Sequence, residues 1–359
     1  MSDARSQAPT IQVDAAWSGW GFDGPATFRI DGERLVPVAA PAAASSPDDP
    51  TPPLSLGGTL FPSLTDHHTH LGLTDPRTLF AGGITHAVDL GWIPSVATSW
   101  LADHPGLPAV AIAGALITAP GGYPVASGWA PEGAALEVGG PREARDAVRK
   151  QVMLGASRIK VALNTDAGET VDNSTLAAIV AESHATGRPV VAHVQGPGQT
   201  ARAVAAGVDQ LAHTPFTERL DDALVAESVR RGMTWISTLD IHGWGIPTEH
   251  YRVAVDNLRR FAGAGGSVLY GTDLGNGDLP VGVDARELAA LQEAGLTGAA
   301  LVRTIAGEPT ASLGPRVAWI PTPPPADHRD LPAWLATARG VRVPDLLTLP
   351  SRPLGQDTP

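Results

Sequence analysis

The chain has no cysteine. Disulfides, thiolate metal sites and cysteine nucleophiles are therefore excluded, and any transition-metal site must use His, Asp, Glu or a modified Lys. A basic surplus is missing too: 25 Lys and Arg stand against 37 Asp and Glu, a formal net charge of −12. That argues against a nucleic-acid or anionic-membrane binder, since both need a basic face. No apolar run approaches the length of a membrane span. The opening "MSDARSQAPTIQVDAAW" lacks the basic start and apolar core of a secretory signal, so a cytoplasmic location is the expectation.

What is present suits a large single-core domain with a smaller appended one. "TIQVDAAWSGWGF" and "ATFRIDGERLVPV" alternate and turn as short strands do, with Asp31-Gly32 as the hairpin turn. Ala39 to Leu54 is a Pro/Ala/Ser-rich link with little to bury. After it, apolar runs alternate with amphipathic stretches. The predicted strands are "TLFPSLTDHHTH", "GITHAVDLGW", "PAVAIAGALIT", "SRIKVALN", "RPVVAHVQG", "GVDQLAHT", "MTWISTLDIHG" and "SVLYGTDLG". Helical stretches such as "PREARDAVRKQVMLGA" and "YRVAVDNLRRFAGAGG" lie between them. "AALVRTIAGEPTASLG" reads as one more helix, and "RVAWI" and "VRVPDLLTL" as strand-like pieces of a Pro-rich tail.

Eight strands, each followed by a helix or long loop, predict an α/β fold: a (β/α)8 TIM barrel over residues 57–314. Residues 1–56 and 315–359 would pair as a small, β-sandwich-like appendage. A doubly wound open sheet also alternates strand and helix, but no Gly-x-Gly-x-x-Gly or P-loop follows any strand.

In such a barrel chemistry sits at the C-terminal strand ends. Those ends carry His68 and His70 on the first strand, Lys160 on the fourth, His193 on the fifth, His213 on the sixth and Asp273 on the eighth. Side chains alternate faces along a strand, so Asp66, His68 and His70 share one face, with His67 and Thr69 on the other. An H-x-H pair can chelate one ion or sit in a polar turn. His193 and His213 can each be a ligand or a hydrogen-bonded core residue, and Asp273 a ligand or a cap. Lys160 lies inside an apolar strand. It either faces outward with its head in water, or is buried with a pKa far below its usual value, so that its neutral amine reacts with CO₂ to form a carbamate.

Together these residues resemble the amidohydrolase superfamily in its binuclear form. "GITHAVDLG", "RIKVALN", "VVAHVQG", "AGVDQLAHT" and "GTDLG" are similar to its imidazolonepropionase-like and prolidase-like branch, from about Leu60 to Gly314. The resemblance implies two divalent metal ions. His68, His70 and Asp273 would hold one ion, His193 and His213 the other, and N6-carboxylated Lys160 would bridge them. Zinc is the first candidate, with Mn, Co, Ni and Fe as alternatives. It further implies a metal-bridging hydroxide that attacks a small-molecule amide, ester or lactone, with Asp273 as general base and then acid. Asp66 and Asp89 are read as supports behind the ligands. One departure is Ala212-His213, where close relatives commonly carry Glu-His.

Substrate choice belongs to the βα loops. Tyr123, His242 and Gln195 are the substrate-binding candidates, with Trp129, Trp244, Asn164 and Asn276 nearby in sequence. The loops after the third and seventh strands have no cation placed to clamp a carboxylate, Arg77 and Arg252 being the nearest. This favours a neutral, ring-bearing amide, ester or lactone over a free dipeptide. A mononuclear deaminase or cyclic-amide hydrolase and a non-catalytic scaffold are the rival readings. The expected partner is a small-molecule substrate, with no nucleic acid and no membrane, and a homo-oligomer left open.

Overall fold

The computed structural model describes residues 8–38, 52–125 and 127–350. Strands buried on both faces should read as continuous apolar runs. Ile159–Asn164 is buried at all of its residues, and Val190–Gln195 at all but its last. These two pair in parallel register from Ile159↔Val190 to Asn164↔Gln195. The same parallel sheet continues through Gln210–Leu211, Thr234–Ile236 and Ser267–Leu269 on one side. On the other side it continues through Leu116–Thr118 to Ala135–Glu137. A second parallel sheet holds Thr65–Thr69, His86–Asp89 and Ala109–Ile112.

The backbone ties the two sheets at both ends. Ala109–Ile112 runs through Ala113–Ala115 into Leu116–Thr118, so together they form the third strand position. At the other end His67 N donates to Tyr270 O at 3.0 Å, Asp273 N to His68 O at 2.8 Å and His70 N to Leu274 O at 2.9 Å. The last strand's exit therefore lies against the first strand's histidines.

Helices follow the strands where sequence periodicity places them. Asn173–Ala185, Asp222–Arg230 and Glu249–Gly263 begin on Asp172, Asp221 and Thr248, whose side chains accept from Thr175 N, Leu224 N and Tyr251 N. Gln199–Ala206 ends on Gly207, whose left-handed φ of +80° suits glycine. Trp235 on the seventh strand stacks on Phe261 of Glu249–Gly263 at 3.9 Å, locking strand to helix. No helix among the described residues is long and apolar enough to cross a membrane.

The chain ends form two further sheets. Thr10–Val13 pairs with Ala26–Asp31 and with Leu54–Ser55, and Arg34–Val38 completes that sheet. The other sheet runs Arg339–Arg342, Arg316–Ile320, Thr59–Phe61, Ala15–Trp17 and Phe22–Asp23. Ile11, Phe28, Leu35, Leu60, Val317 and Trp319 belong to an apolar cluster separate from the main core.

Several expectations need correction here. "TLFPSLTDHHTH" is two strands: Thr59–Phe61 joins the terminal sheet and the parallel strand starts at Thr65. Pro62, which has no N–H to offer a ladder, interrupts the run between them. The hairpin loop is Gly32-Glu33, because Asp31 still pairs with Arg34. Residues 39–51 of the predicted link lie outside the described residues, and its last residue, Leu54, begins a strand. The helix from Ala299 stops at Ile305, shortly before Gly307 and Pro309. "VRVPDLLTL" becomes the end of a strand followed by a 3-10 turn over Val343–Thr348, with Pro344 at its start.

One buried acid gives a stability prediction away from the strand ends' histidines. Glu287, on the helix Ala285–Glu293, is fully buried and accepts from Asp240 N at 2.7 Å. Burial pushes its carboxyl up to about 8. The folded protein thus keeps a proton that the unfolded chain has lost, and Glu287's contribution falls as pH rises from about 4.5 to about 8. Glu287→Gln keeps an acceptor for Asp240 N without the charge. It should flatten that fall and stabilise the protein by ~1–2 kcal/mol at pH 8. Thermal unfolding of both proteins at pH 5 and pH 8 measures this; parallel pH dependence would refute it.

Candidate metal centre

His68 lies near the end of the first parallel strand and His70 just beyond it, before the 3-10 turn Leu71–Leu73. His68 Nδ1 sits 2.8 Å from Ala212 O, and His70 Nδ1 sits 3.0 Å from Gly91 O. A carbonyl only accepts, so each ring carries hydrogen on Nδ1 and turns Nε2 inward. The two Nε2 atoms lie 3.0 and 3.2 Å from Asp273 Oδ1.

Asp273 has φ +57°, a left-handed conformation that costs a non-glycine residue about 1 kcal/mol or more. It is held there from both sides. Its N–H donates to His68 O at 2.8 Å, and its Oδ2 accepts from Asn276 Nδ2 at 2.9 Å.

Lys160 is buried, its Nζ 3.5 Å from His68 Nε2, so the outward-facing reading is excluded. The His213 ring centroid is 4.7 Å from that of His68 and 4.8 Å from that of His193. His213 Nδ1 meets Thr238 Oγ1 at 2.9 Å, and Thr238 too has a positive φ, +44°. His193 Nε2 faces Asn164 Nδ2 at 3.3 Å, and Tyr123 stacks on its ring at 4.6 Å. All six residues predicted as ligands therefore come together. Ligand atoms of His68, His213 and Asp273 lie within 4.8 Å of one another.

Burial dominates the electrostatics. It lowers His68 to about 4 and His193 to about 3, with Lys160 adding to both, and takes His213 well below its usual value. It lowers Lys160 to about 7. Burial opposes the Asp273 carboxylate, yet His68, His70 and His213 hold it well below the ordinary carboxylate range. His70 is raised: burial lowers it, but Asp273 and Asp89 outweigh burial.

The supporting carboxylates act on backbone, not on imidazole nitrogens. Asp66 accepts from His68 N, Thr272 N and Thr272 Oγ1, at 3.0, 3.1 and 2.5 Å, and so staples the first strand to the last. Burial raises it to about 7. Asp89 accepts from Leu71 N and Gly91 N, fixing the turn that supplies the carbonyl for His70.

A cavity of ≈ 370 Å³ opens beside these residues. It is lined by His70, Leu73, Tyr123, Trp129, Asp273, Gly275, Asn276 and Gly277. Tyr123 is on that lining. Gln195 is not; it accepts from Asn164 Nδ2 at 3.0 Å, behind His193. His242 is buried against Phe216, ring centroids 4.1 Å apart, within the loop after the seventh strand. Sequence reasoning missed Leu73, Gly275, Gly277 and Thr238. Thr238 carries no local signal, because its role depends on a histidine one strand away.

The donor set fits a metal. His68 is neutral, so its bare Nε2 faces an Asp273 oxygen at 3.0 Å that has no hydrogen-bond partner. Two buried acceptors face each other with no hydrogen between them, an arrangement that a cation resolves. Imidazole and carboxylate donors suit zinc and its first-row neighbours.

No protein-family model and no curated protein sequence matches the chain. Solved structures do. A Xaa-Pro dipeptidase with bound methionine superposes with TM-score 0.73 at 17% identity, covering 93% of this chain and 98% of that one. The A. niger ochratoxinase gives 0.71 at 19% identity, over 92% of this chain and 93% of its own. A molinate hydrolase gives 0.70 at 16%, over 98% of both. These likenesses show a shared fold: that of solved structures described as a Xaa-Pro dipeptidase, an amidohydrolase and a putative prolidase.

Proposed function

We propose that this chain is a metal-dependent amidohydrolase that cleaves an amide, ester or lactone bond of a small molecule. The observation that carries this is the inward convergence of His68, His70, Lys160, His193, His213 and Asp273. The Nδ1 atoms of His68, His70 and His213 are committed to Ala212 O, Gly91 O and Thr238 Oγ1. In this reading the parallel strands close into an eight-stranded barrel over residues 57–314. The terminal sheets form a β appendage to it, with Thr59–Phe61 contributed by the barrel segment.

His68, His70 and Asp273 would hold one divalent ion, and His193 and His213 a second. Lys160, carboxylated on Nζ, would bridge them. Such ions supply an activated water at neutral pH and a Lewis acid for the scissile carbonyl. The chain's own residues do the rest. Asp273 takes the water's proton and returns it to the leaving nitrogen or oxygen, with Asn276 Nδ2 fixing its Oδ2. Tyr123 and Trp129 cover His193 and His70 and limit access of bulk water.

A second reading has one ion on His68, His213 and Asp273, whose ligand atoms already cluster, with Lys160 unmodified. Chelation, reloading with Zn, Mn or Co, and elemental analysis separate the two. About two ions per chain support the binuclear reading and about one the other. Protein that takes up no metal and hydrolyses no amide, ester or lactone would refute both. A non-catalytic scaffold has no reason to bury a lysine among four histidines.

A further inference from the structure

Resting on that hydrolase reading, we propose that the site selects an uncharged substrate whose scissile bond carries a flat apolar group, and that it discriminates against a carboxylate beside that bond. The cavity wall is the first argument. Tyr123 and Trp129, ring centroids 6.1 Å apart, supply aromatic surface from the loop after the third strand. Gly275, Asn276 and Gly277 supply a strip from the loop after the eighth strand. A Cβ on Gly275 would meet Leu73 at 2.9 Å, and one on Gly277 would meet the Trp244 ring at 2.5 Å. The glycines let these two side chains pack directly on the strip. Leu73 and Trp244 remain 46% and 45% exposed, so the apolar surface continues outward from the wall.

The second argument is charge. Among the described residues, no Lys or Arg lines this cavity. The cations that could reach for a carboxylate are already engaged or lie elsewhere. Arg286 pairs with Asp240 at 2.9 Å and donates to Asp278 O. Arg252 donates to Glu249 and Pro247 O. Arg77 is exposed on the helix Pro76–Ala81. Asn276, the polar member of the strip, gives both its backbone N–H and its side-chain amide to Asp273. A substrate carboxylate would enter with no charged partner, whereas a ring finds aromatic and aliphatic contact.

The test uses a matched pair differing in one carboxylate: N-acetyl-2-phenylethylamine and N-acetyl-L-phenylalanine. Hydrolysis and calorimetric binding are followed with metal-loaded protein, and metal content is read separately. A preference for the neutral amide of about 100-fold or more in kcat/KM or Kd is expected, the worth of one hydrogen-bonded charge. Leu73→Arg adds a cation to the lining at a half-exposed position and should narrow that preference by about 10-fold. Equal or preferred use of the carboxylate by the wild type overturns the proposal, as does binding of neither compound at millimolar concentration. In both cases the metallohydrolase reading stands if the metal is retained. Loss of metal uptake would instead refute the hydrolase reading.

Discussion

Replacing Lys160 by methionine is expected to leave the protein folded, with metal content reduced to about one ion per chain or fewer and hydrolysis lowered at least ~10³-fold. Lys160 is fully enclosed, with His68 Nε2 at 3.5 Å and burial holding its amine near 7. Burial outweighs the pull of Asp273 and Asp89 on its charge, so an ammonium there is costly and cut off from water. Methionine fills similar volume without the charge, so thermal stability of the metal-free protein should hold or rise. A carbamate would turn the buried cation into an anion: the ammonium gives up one proton, and the neutral amine adds CO₂, forming an N–C bond and releasing a second proton. Elemental analysis, thermal unfolding and turnover on the same preparations check the three outcomes together. A Lys160→Met protein that kept two ions and full turnover would sink the bridging role.

The six candidate ligands were legible as a set because each is a chemical oddity in a regular pattern. Strand alternation separates His68 and His70 from His67, and an apolar run with a lysine inside it singles out Lys160. Spacing of the runs placed the helices, whose Asp and Thr caps are local signals. What stayed hidden belongs to backbone and to distance. Ala212 O and Gly91 O orient two imidazoles, yet any residue could supply a carbonyl. Asp273's left-handed φ is held by His68 O on another strand and by Asn276 three residues on. Thr59–Phe61 reads as the start of its neighbour strand because its partners, Ala15–Trp17 and Arg316–Ile320, lie far from it in sequence. For Asp66 the alternation phase fixes its face but not its partners, which are His68 N, Thr272 N and Thr272 Oγ1.

Asp273→Asn should abolish turnover, by ~10³-fold or more, and lower metal uptake, while the metal-free protein stays folded. The fold tolerates it, since asparagine adopts φ near +57° at least as readily as aspartate. The asparagine oxygen can accept from Asn276 Nδ2, as Oδ2 does at 2.9 Å. Its NH₂ then faces His68 Nε2 and His70 Nε2, which lie 3.0 and 3.2 Å from Asp273 Oδ1. The bare His68 nitrogen gains a donor, whereas His70 loses the carboxylate that raises it. The change occupies the His68 lone pair a metal would need and leaves no carboxylate to move a proton, so metal affinity and chemistry should fall together. An ordinary buried polar residue would instead lose stability with no change in metal uptake. Metal titration with unfolding of the chelated protein distinguishes the two: destabilised, metal-competent Asp273→Asn protein would refute the ligand role of Asp273.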